Sequence, residues 1–370
     1  MRIFFALPGL HRYDRGAEVA LISLASELAN AGDDVTMMGS GDPRPSAPYR
    51  FIRAASVALE RFEPFPKMPL LRSETVYEEA SFVPALLRRY RPADYDVTVT
   101  CSFPFTNIAL RRPGPGGARP AHVFITQNGD WPAQSSRSEY RLFGCDGLVC
   151  TNPDFYERNR DRWRSALIPN GIDTARFSEG RVEREKFGLP ADRPVVLMVS
   201  ALIESKRVAD GIRAVSRVPD AHLVVAGDGP LRETIDAMAA ELLPGRFTRV
   251  SIGAHEMPAL YRSADVFMHL SREESFGNVF LEAMACGLPL VAHDSPRVRW
   301  IVGEQEYLLD TGDADAVAGA IGRALRAPAS QREARVRRAS DFAWSKVAGR
   351  YRDFFEEVLS ARANAGKARG

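Results

Sequence analysis

The chain has 370 residues, of which 45% are hydrophobic and 26% are charged, and its formal net charge at pH 7 is +2. This length predicts two domains that each bury a core of their own. The balanced charge argues against a nucleic-acid-binding protein, which would carry a strongly basic surface. No apolar run approaches the ~20 residues that a membrane-spanning helix needs, so we expect a globular protein.

The cysteines and histidines indicate the compartment and exclude one class of metal site. None of the four cysteines lies in a CxxC pair, which predicts free thiols in a reducing, cytoplasmic environment. The six histidines are scattered without ligand spacing, so no structural zinc is expected. The opening run RIFFAL (2–7) is too short for a signal peptide and is typical of a first buried strand. The cysteines are Cys101, Cys145, Cys150 and Cys286.

The first half of the chain alternates short apolar runs with helical patterns. Residues 17–32 have helical apolar spacing and end at Gly32. Buried strands separated by helices are typical of parallel βαβ units. The strands predicted here are 2–7, 34–40, 95–102, 121–127 and 146–152.

A second α/β series follows a turn-rich stretch that begins near IPNGID (168–173). Its predicted strands are 194–202, 222–230, 248–254, 264–271, 288–294 and 307–310. Its predicted helices are 207–218, 231–242, 256–264 and 278–287, and a long amphipathic helix follows at 341–361. The chain therefore predicts two Rossmann-like domains facing a central cleft, with ligands at the carboxyl ends of the strands.

Residues 271–294, SREESFGNVFLEAMACGLPLVAHD, place a loop after one of these strands and then a short helix. Ser275 or Asn278 could cap that helix, and its N-terminal N–H groups suit phosphate oxygens. Glu282, about one turn into the helix, can accept hydrogen bonds from a vicinal diol such as a ribose. Glu274 lies in the loop and can reach the group beyond the phosphates. Taken alone, the two acids favour the alternative of solvated surface carboxylates, and only the whole stretch indicates a site.

The same stretch resembles the signature of retaining GT-B glycosyltransferases of family 4, also called glycosyltransferase group 1. In that family two glutamates with seven residues between them flank a Phe-Gly turn, and EAMACGxPVVA follows. Four other segments resemble the family in the expected order: IPNGIDTARF (168–177), VSALIESKRVADGIRAV (199–215), LVVAGDGPLRE (223–233) and DFAWSKVAGRY (341–351).

The resemblance implies a domain division and a donor site. Residues 1–170 would form the acceptor-binding domain and 171–344 the nucleotide-sugar-binding domain, with a C-terminal helix at about 345–365 packing back on the first. Glu282 would bind the ribose, Glu274 would support charge at the reacting carbon, and Lys206 would neutralise the diphosphate without a metal. The other donor contacts implied are Gly16, Arg207, Ser275, Phe276, Gly277, Asn278 and Val279.

The chain departs from the family pattern in two places. The family usually has GRLxxxK, whereas Ser200-Ala201-Leu202 stands here, so an arginine on the diphosphate is missing and Arg207 is predicted to replace it. Many members have a histidine just after the strand at 121–127, where this chain has QNGDWP. The acceptor-binding residues predicted are Gln127, Asn128, Asp130 and Trp131 at this second position and His11 in the first loop at 8–20.

Each acceptor-site prediction has a plain structural alternative. Asp130 would act as a catalytic base only within hydrogen-bond reach of the acceptor hydroxyl, and otherwise it is a turn residue. Trp131 would stack on a sugar face or belong to the core. His11 would face the cleft or lie exposed in its loop, and Gly16 would admit the donor phosphates or form an ordinary turn.

The resulting prediction is a retaining, metal-independent hexosyltransferase that uses a nucleotide-diphosphate sugar as co-substrate and no cofactor. The acceptor would be a polysaccharide, a lipid-linked glycan or a natural product. A sugar-nucleotide epimerase on the same fold and a non-catalytic nucleotide-sugar-binding protein are the alternatives. The arginine- and alanine-rich composition is typical of a high-GC bacterium, and a monomer and a homodimer are both compatible with it. Segments 62–74 and 157–169 suggest peripheral contact with the inner face of the membrane, or solvated surfaces.

Overall fold

The computed structural model describes residues 1–69, 71–114, 117–134, 138–274 and 276–367. Contacts divide the chain into two compact units. The first contains Met1–Gly171 and the chain from Trp344 onward, and the second contains Ile172–Ala343. Each unit is built around one parallel β-sheet. No helix in the described ranges is both long enough and apolar enough to cross a bilayer.

The sheet of the first unit has seven parallel strands in the order β3-β2-β1-β4-β5-β6-β7. The strands are β1 (Arg2–Ala6), β2 (Asp34–Gly39), β3 (Arg50–Arg53), β4 (Val97–Thr100), β5 (Ala121–Ile125), β6 (Gly147–Cys150) and β7 (Ser165–Leu167). The helices that precede the second unit are α1 (Gly16–Asn30), α2 (Glu74–Arg89), α3 (Phe105–Leu110) and α4 (Pro153–Asn159).

The second unit has six parallel strands in the order β10-β9-β8-β11-β12-β13. The strands are β8 (Val195–Val199), β9 (His222–Ala226), β10 (Phe247–Val250), β11 (Val266–His269), β12 (Leu290–His293) and β13 (Tyr307–Leu309). The helices are α5 (Val208–Ser216), α6 (Arg232–Leu242), α7 (Met257–Arg262), α8 (Asn278–Ala285), α9 (Pro296–Val302), α10 (Ala314–Ala324) and α11 (Ala329–Ser340). The last helix, α12 (Trp344–Lys367), belongs to the first unit.

Both sheets are covered by helices on both faces, which explains why their central strands are continuous apolar runs. Successive side chains of a strand point to opposite faces. In β1, Ile3 and Phe5 therefore join the cluster that contains α1 and α12, whereas Phe4 packs with α2 on the other face. The long C-terminal helix contributes Tyr351 and Phe355, both fully buried, to the core of the first unit.

The strand orders locate a topological switch point in each sheet. Connections lead away in opposite directions from β1 and β4 in the first unit, and from β8 and β11 in the second. Loops at the carboxyl ends of such strand pairs leave a crevice where ligands of open α/β sheets bind. In the second unit, Lys206 follows β8 and Glu274 follows β11.

The structure adds elements that the sequence pattern did not predict. Strand β3 is a four-residue edge strand with an arginine at each end and only partial burial, so it has no apolar signature. Pro84 lies inside α2, which obscured that helix. Segment 62–74 ends where α2 begins, and residue 70 in it lies outside the described ranges.

Candidate functional site

Three side chains meet at the switch point of the second sheet. Strands β8 and β11 are direct neighbours, and the loops after them bring Lys206 and Glu274 together. The Lys206 Nζ donates to Glu274 Oε1, and His269 Nε2, at the end of β11, lies 2.7 Å from the same oxygen. The exposed fractions of the Lys206, Glu274 and His269 side chains are 22%, 15% and 3%, so this cluster is largely withdrawn from water.

The Glu274 carboxylate is ionised in this setting. Burial by itself raises its pKa, because a carboxylate loses hydration in the protein. The hydrogen bond and charge of His269, together with those of Lys206, outweigh burial and lower the pKa to about 2. The site therefore presents a fixed negative charge beside a lysine at the sheet edge.

The short helix α8 begins directly after this loop, in a conformation that needs glycine. Gly277 has φ +88°, and a Cβ added there would lie 2.7 Å from Phe280 Cδ2. This left-handed residue turns the chain into α8, so the N-terminus of the helix lies at the carboxyl edge of the sheet. Asn278 and Val279 are half-buried there, and Phe276 is buried. The predicted contact Ser275 lies outside the described residues.

Glu282, on the same helix, is held by a tyrosine that the sequence did not identify. The Tyr261 hydroxyl donates to Glu282 Oε2 at 2.7 Å. Burial raises the pKa of Glu282, although the bond from Tyr261 and the charge of Arg176 act in the opposite direction. A half-buried carboxylate with one oxygen oriented in this way suits recognition of a diol.

Two glycines of the GDGP turn shape the loop that carries Lys206. A Cβ on Gly227, which has φ +151°, would lie 1.9 Å from the carbonyl oxygen of Ser200. A Cβ on Gly229 would lie 2.7 Å from the carbonyl oxygen of Leu202. Side chains at either position would push the loop after β8 away, so these glycines fix the approach to Lys206.

The first unit contains an aromatic cavity of about 410 Å³ beside the carboxyl ends of β4 and β5. The rings of Trp131 and Tyr140 stack with centroids 5.9 Å apart, and Phe103 stacks on Tyr140 at the same distance. Glu79 is 1% exposed, its Oε1 accepts the Thr106 N–H at 2.6 Å, and burial raises its pKa to about 7. The polar lining includes Arg72, Ser73, Thr75, Glu79, Ser102 and Asn128.

Two family models match the chain over complementary ranges. The model "Glycosyltransferase Family 4" matches residues 15–176, and "Glycosyl transferases group 1" matches residues 180–341. The chain belongs to the group 1 glycosyltransferases of family 4.

Individual relatives of this family 4 chain were found in bacteria. A GDP-mannose-dependent alpha-(1-6)-phosphatidylinositol monomannoside mannosyltransferase from Mycolicibacterium smegmatis is 37% identical in an alignment of 221 positions that covers 52% of this chain and 57% of that protein. A D-inositol 3-phosphate glycosyltransferase from Acidothermus cellulolyticus is 29% identical and covers 94% of this chain and 87% of its own length. The match to the first thus spans little more than half of that relative.

The predicted GT-B fold of this family 4 member is confirmed. The solved structure of a sucrose-phosphate synthase from Thermosynechococcus elongatus matches with a TM-score of 0.78 at 24% identity, over 97% of this chain and 99% of that one. At this identity the likeness establishes the two-domain Rossmann-like architecture alone.

Arg207, the predicted substitute for the missing family 4 arginine, is engaged in contacts within the second unit. Its guanidinium donates to Asp210 Oδ2 at 2.8 Å, to the Leu270 carbonyl at 3.2 Å, and to Thr311 Oγ1 at 2.6 Å. It therefore ties the start of α5 to the loops after β11 and β13. Its role on the diphosphate stays a prediction that these contacts do not favour.

Both carboxylate oxygens of Asp130 likewise accept hydrogen bonds, whereas a catalytic base would need a free oxygen. Its Oδ2 accepts from Arg158 Nε and its Oδ1 from Asn159 Nδ2, both at 2.7 Å, and its side chain is only 9% exposed. The bonds fasten the QNGDWP loop to α4. The turn-residue alternative for Asp130 therefore agrees better with the geometry than the catalytic prediction.

The remaining first-unit predictions differ in their surroundings. The His11 ring stacks on Phe51 with centroids 3.9 Å apart, and its Nε2 lies 2.7 Å from the Tyr49 hydroxyl, so it is neither free nor simply exposed. Gln127 forms a reciprocal amide pair with Asn170. Asn128 and Trp131 line the aromatic cavity. A Cβ at Gly16 would meet nothing within 4 Å, so nothing within this unit requires glycine there.

Proposed function

We propose that this chain transfers a hexose from a nucleotide-diphosphate sugar to an acceptor hydroxyl, with retention at the anomeric carbon and without a metal. The observation that carries the proposal is the Lys206–Glu274–His269 cluster at the switch point of the second sheet. Glu282, oriented by Tyr261, lies on the helix that follows. A cation, an N-terminal helix turn and two acids match the diphosphate, sugar and ribose of one donor.

In this transfer, each residue of the cluster would have a distinct role. Lys206 and the first N–H groups of α8 stabilise the diphosphate as the bond between the anomeric carbon and the β-phosphate oxygen breaks. Glu274 stabilises the positive charge that develops at that carbon. The acceptor oxygen bonds to the carbon on the same face, and its proton passes to the departing phosphate oxygen. The products are a glycoside and a nucleoside diphosphate, and no separate base is needed.

We place the acceptor in the aromatic cavity of the first unit. Stacked aromatic rings offer an apolar face to the C–H side of a sugar ring, while nearby hydroxyl, amide and carboxyl groups can bind its hydroxyls. The relatives named above act, by their names, on a phosphatidylinositol mannoside and an inositol phosphate. We therefore propose an acceptor with a cyclic polyol ring.

The test is release of nucleoside diphosphate from UDP-, GDP-, ADP- and TDP-sugars, with EDTA present. GDP-mannose is included because one relative depends on it by name. We expect slow release from one donor in the wild type and its loss in Lys206→Ala and Glu282→Ala. Lys186→Ala is the matched control, because Lys186 pairs with Glu256 at 3.2 Å in the same unit, outside the cluster.

Each other outcome has a defined meaning. A requirement for a divalent cation would contradict the metal-free proposal. A product of opposite anomeric configuration by NMR would contradict retention. Conversion of the donor to its epimer without transfer would establish the epimerase instead. Binding of nucleoside diphosphates by calorimetry without turnover, even with a cyclic-polyol acceptor panel, would identify a binding protein.

A further inference from the structure

His269 has no role in the donor contacts described above, yet it is the most buried member of the cluster, with a side chain 3% exposed. We propose that His269 is a positioning residue that holds the Glu274 carboxylate in place when Lys206 turns to the donor diphosphate. This inference rests on the proposed function, because it assigns Lys206 to the diphosphate and Glu274 to the sugar.

The distribution of contacts on Glu274 carries the inference. Lys206 and His269 both bind Oε1, and among the described residues no hydrogen bond to Oε2 is present. Oε2 is therefore the oxygen available to a sugar. A carboxylate that is 15% exposed cannot lose its paired cation and remain ionised unless a hydrogen-bond donor stays with it. Once Lys206 has turned away, the His269 N–H remains as the hydrogen-bond donor to Glu274.

The surroundings of His269 give it the rigidity that Lys206 lacks. Its ring lies parallel to that of Phe267, with centroids 6.3 Å apart, and edge-on to Phe280 at 5.1 Å. Phe267 and Phe280 are fully buried, one on β11 and one on α8. The imidazole thus has one orientation, set by the core, whereas a lysine side chain has four rotatable bonds in its stem and can move between partners.

Two substitutions separate hydrogen bonding from packing. His269→Phe keeps an aromatic ring next to Phe267 and Phe280 but removes the N–H group that donates to Glu274. His269→Gln restores an N–H group at this position. With the donor sugar identified by the release assay, we expect His269→Phe to lower kcat about 10- to 100-fold with little change in the donor KM. His269→Gln should recover part of that loss. Equal kcat in His269→Phe and wild type would overturn the inference, as would a loss in KM alone.

The matched control is another histidine of the same sheet. His222 begins β9 at the amino edge, and its Nε2 lies 2.8 Å from Thr248 Oγ1. His222→Phe also removes the hydrogen bond of a buried imidazole, but at the opposite end of the strands from the cluster. We expect its kcat to equal that of the wild type. If both histidine variants lose activity in proportion to the decrease in their unfolding temperatures, His269 has only a structural role and the inference is overturned.

A measurement that needs no turnover distinguishes failure of this inference from failure of the proposed function. The chain has six histidines, so ¹⁵N-histidine spectra are sparse, and His269→Phe assigns the signal of interest. We expect that signal to shift to that of an unbound imidazole in Glu274→Gln, and to change much less in Lys206→Ala because the bond to Glu274 remains. A Lys206→Ala signal that matches that of Glu274→Gln would show that Lys206 holds the pair together, which overturns the inference. Absence of donor turnover with the expected spectra would overturn the proposed function alone.

Discussion

Lys206 and Glu274, 68 positions apart in the chain, form an ion pair between the loops that follow two neighbouring strands. The pair exists because β8 and β11 are adjacent in the sheet although β9 and β10 separate them in sequence. A lysine held on a carboxylate is partly neutralised. Under the proposed function, a donor diphosphate would have to attract Lys206 away from Glu274, which would couple donor binding to release of the acid.

This coupling predicts non-additive effects of substitutions at the two positions. Lys206→Ala and Glu274→Gln should each lower kcat for nucleotide release about 10²- to 10³-fold, as loss of one electrostatic contact in a transition state does. The double variant should lose much less than the product of the two, because both groups act in one step. Steady-state kinetics of the four proteins measures this, and strict multiplicativity would contradict a shared role.

Asp130 should prove structural when it is changed to alanine. Removing the carboxylate leaves Arg158 and Asn159 without the oxygens that they bind, so we expect a loss of about 1–3 kcal/mol in the free energy of unfolding. Values of kcat for the folded enzyme should stay within about threefold of wild type, which corresponds to under 1 kcal/mol. Urea unfolding and kinetics on the same preparations check both, with exposed Asp161→Ala as the control. A loss of kcat without a loss of stability would restore the catalytic prediction.

Trp131→Ala should weaken binding of the acceptor and leave binding of the donor sugar nucleotide unchanged. Its indole stacks on Tyr140 and lines the cavity of the first unit. Loss of one stacking face should raise the acceptor KM about 3- to 10-fold. Trp131→Phe keeps an aromatic face and should lose less. If neither variant alters the acceptor KM, the cavity is not the acceptor site, and the donor-release assay remains a valid test of the second unit.

Glu79 should make stability depend on pH above the range of ordinary carboxylates. Burial raises the pKa of Glu79 in the folded state to about 7 from its ordinary value of 4.5, so the folded state binds more protons than the unfolded state between these values. The contribution of protonated Glu79 to the free energy of unfolding is therefore fully present below about pH 4.5. It is lost as the pH rises toward 7, by about 3 kcal/mol in all.

The Glu79→Gln variant tests this sign directly. Its stability, measured by urea unfolding between pH 5 and pH 8, should decline less than that of the wild type. Burial also raises the pKa of the neighbouring Glu78, to about 6, and that group contributes a decline of the same sign in both proteins. The difference between wild type and variant therefore isolates Glu79. Parallel curves would show that the carboxyl is not held protonated by burial.

Particular elements show what the local pattern could and could not predict. The apolar runs of β1, β8 and β11 correctly predicted these strands, because helices cover both faces of each sheet and both faces must therefore be apolar. The edge strand β3 and the arginine-rich helix α11 carry weak apolar signals and were not predicted, and α10 was not predicted although its buried residues have helical spacing. Loop 273–277 and helix α8 were predicted from a dense motif, whose glycine at 277 the structure explains by its positive φ.

The sequence by itself determined the two α/β units, the family, and the position of Lys206 and Glu274 on loops at strand ends and of Glu282 on the short helix that follows. Periodicity and motif spacing carry that information because they are local. Only the tertiary structure decided that His269 and Tyr261 contact the two acids and that Asp130 and Arg207 are bound to neighbouring elements. Those partners are chosen by strand order and by which side chains the packed core holds fixed, and neither is encoded in any short stretch of the chain.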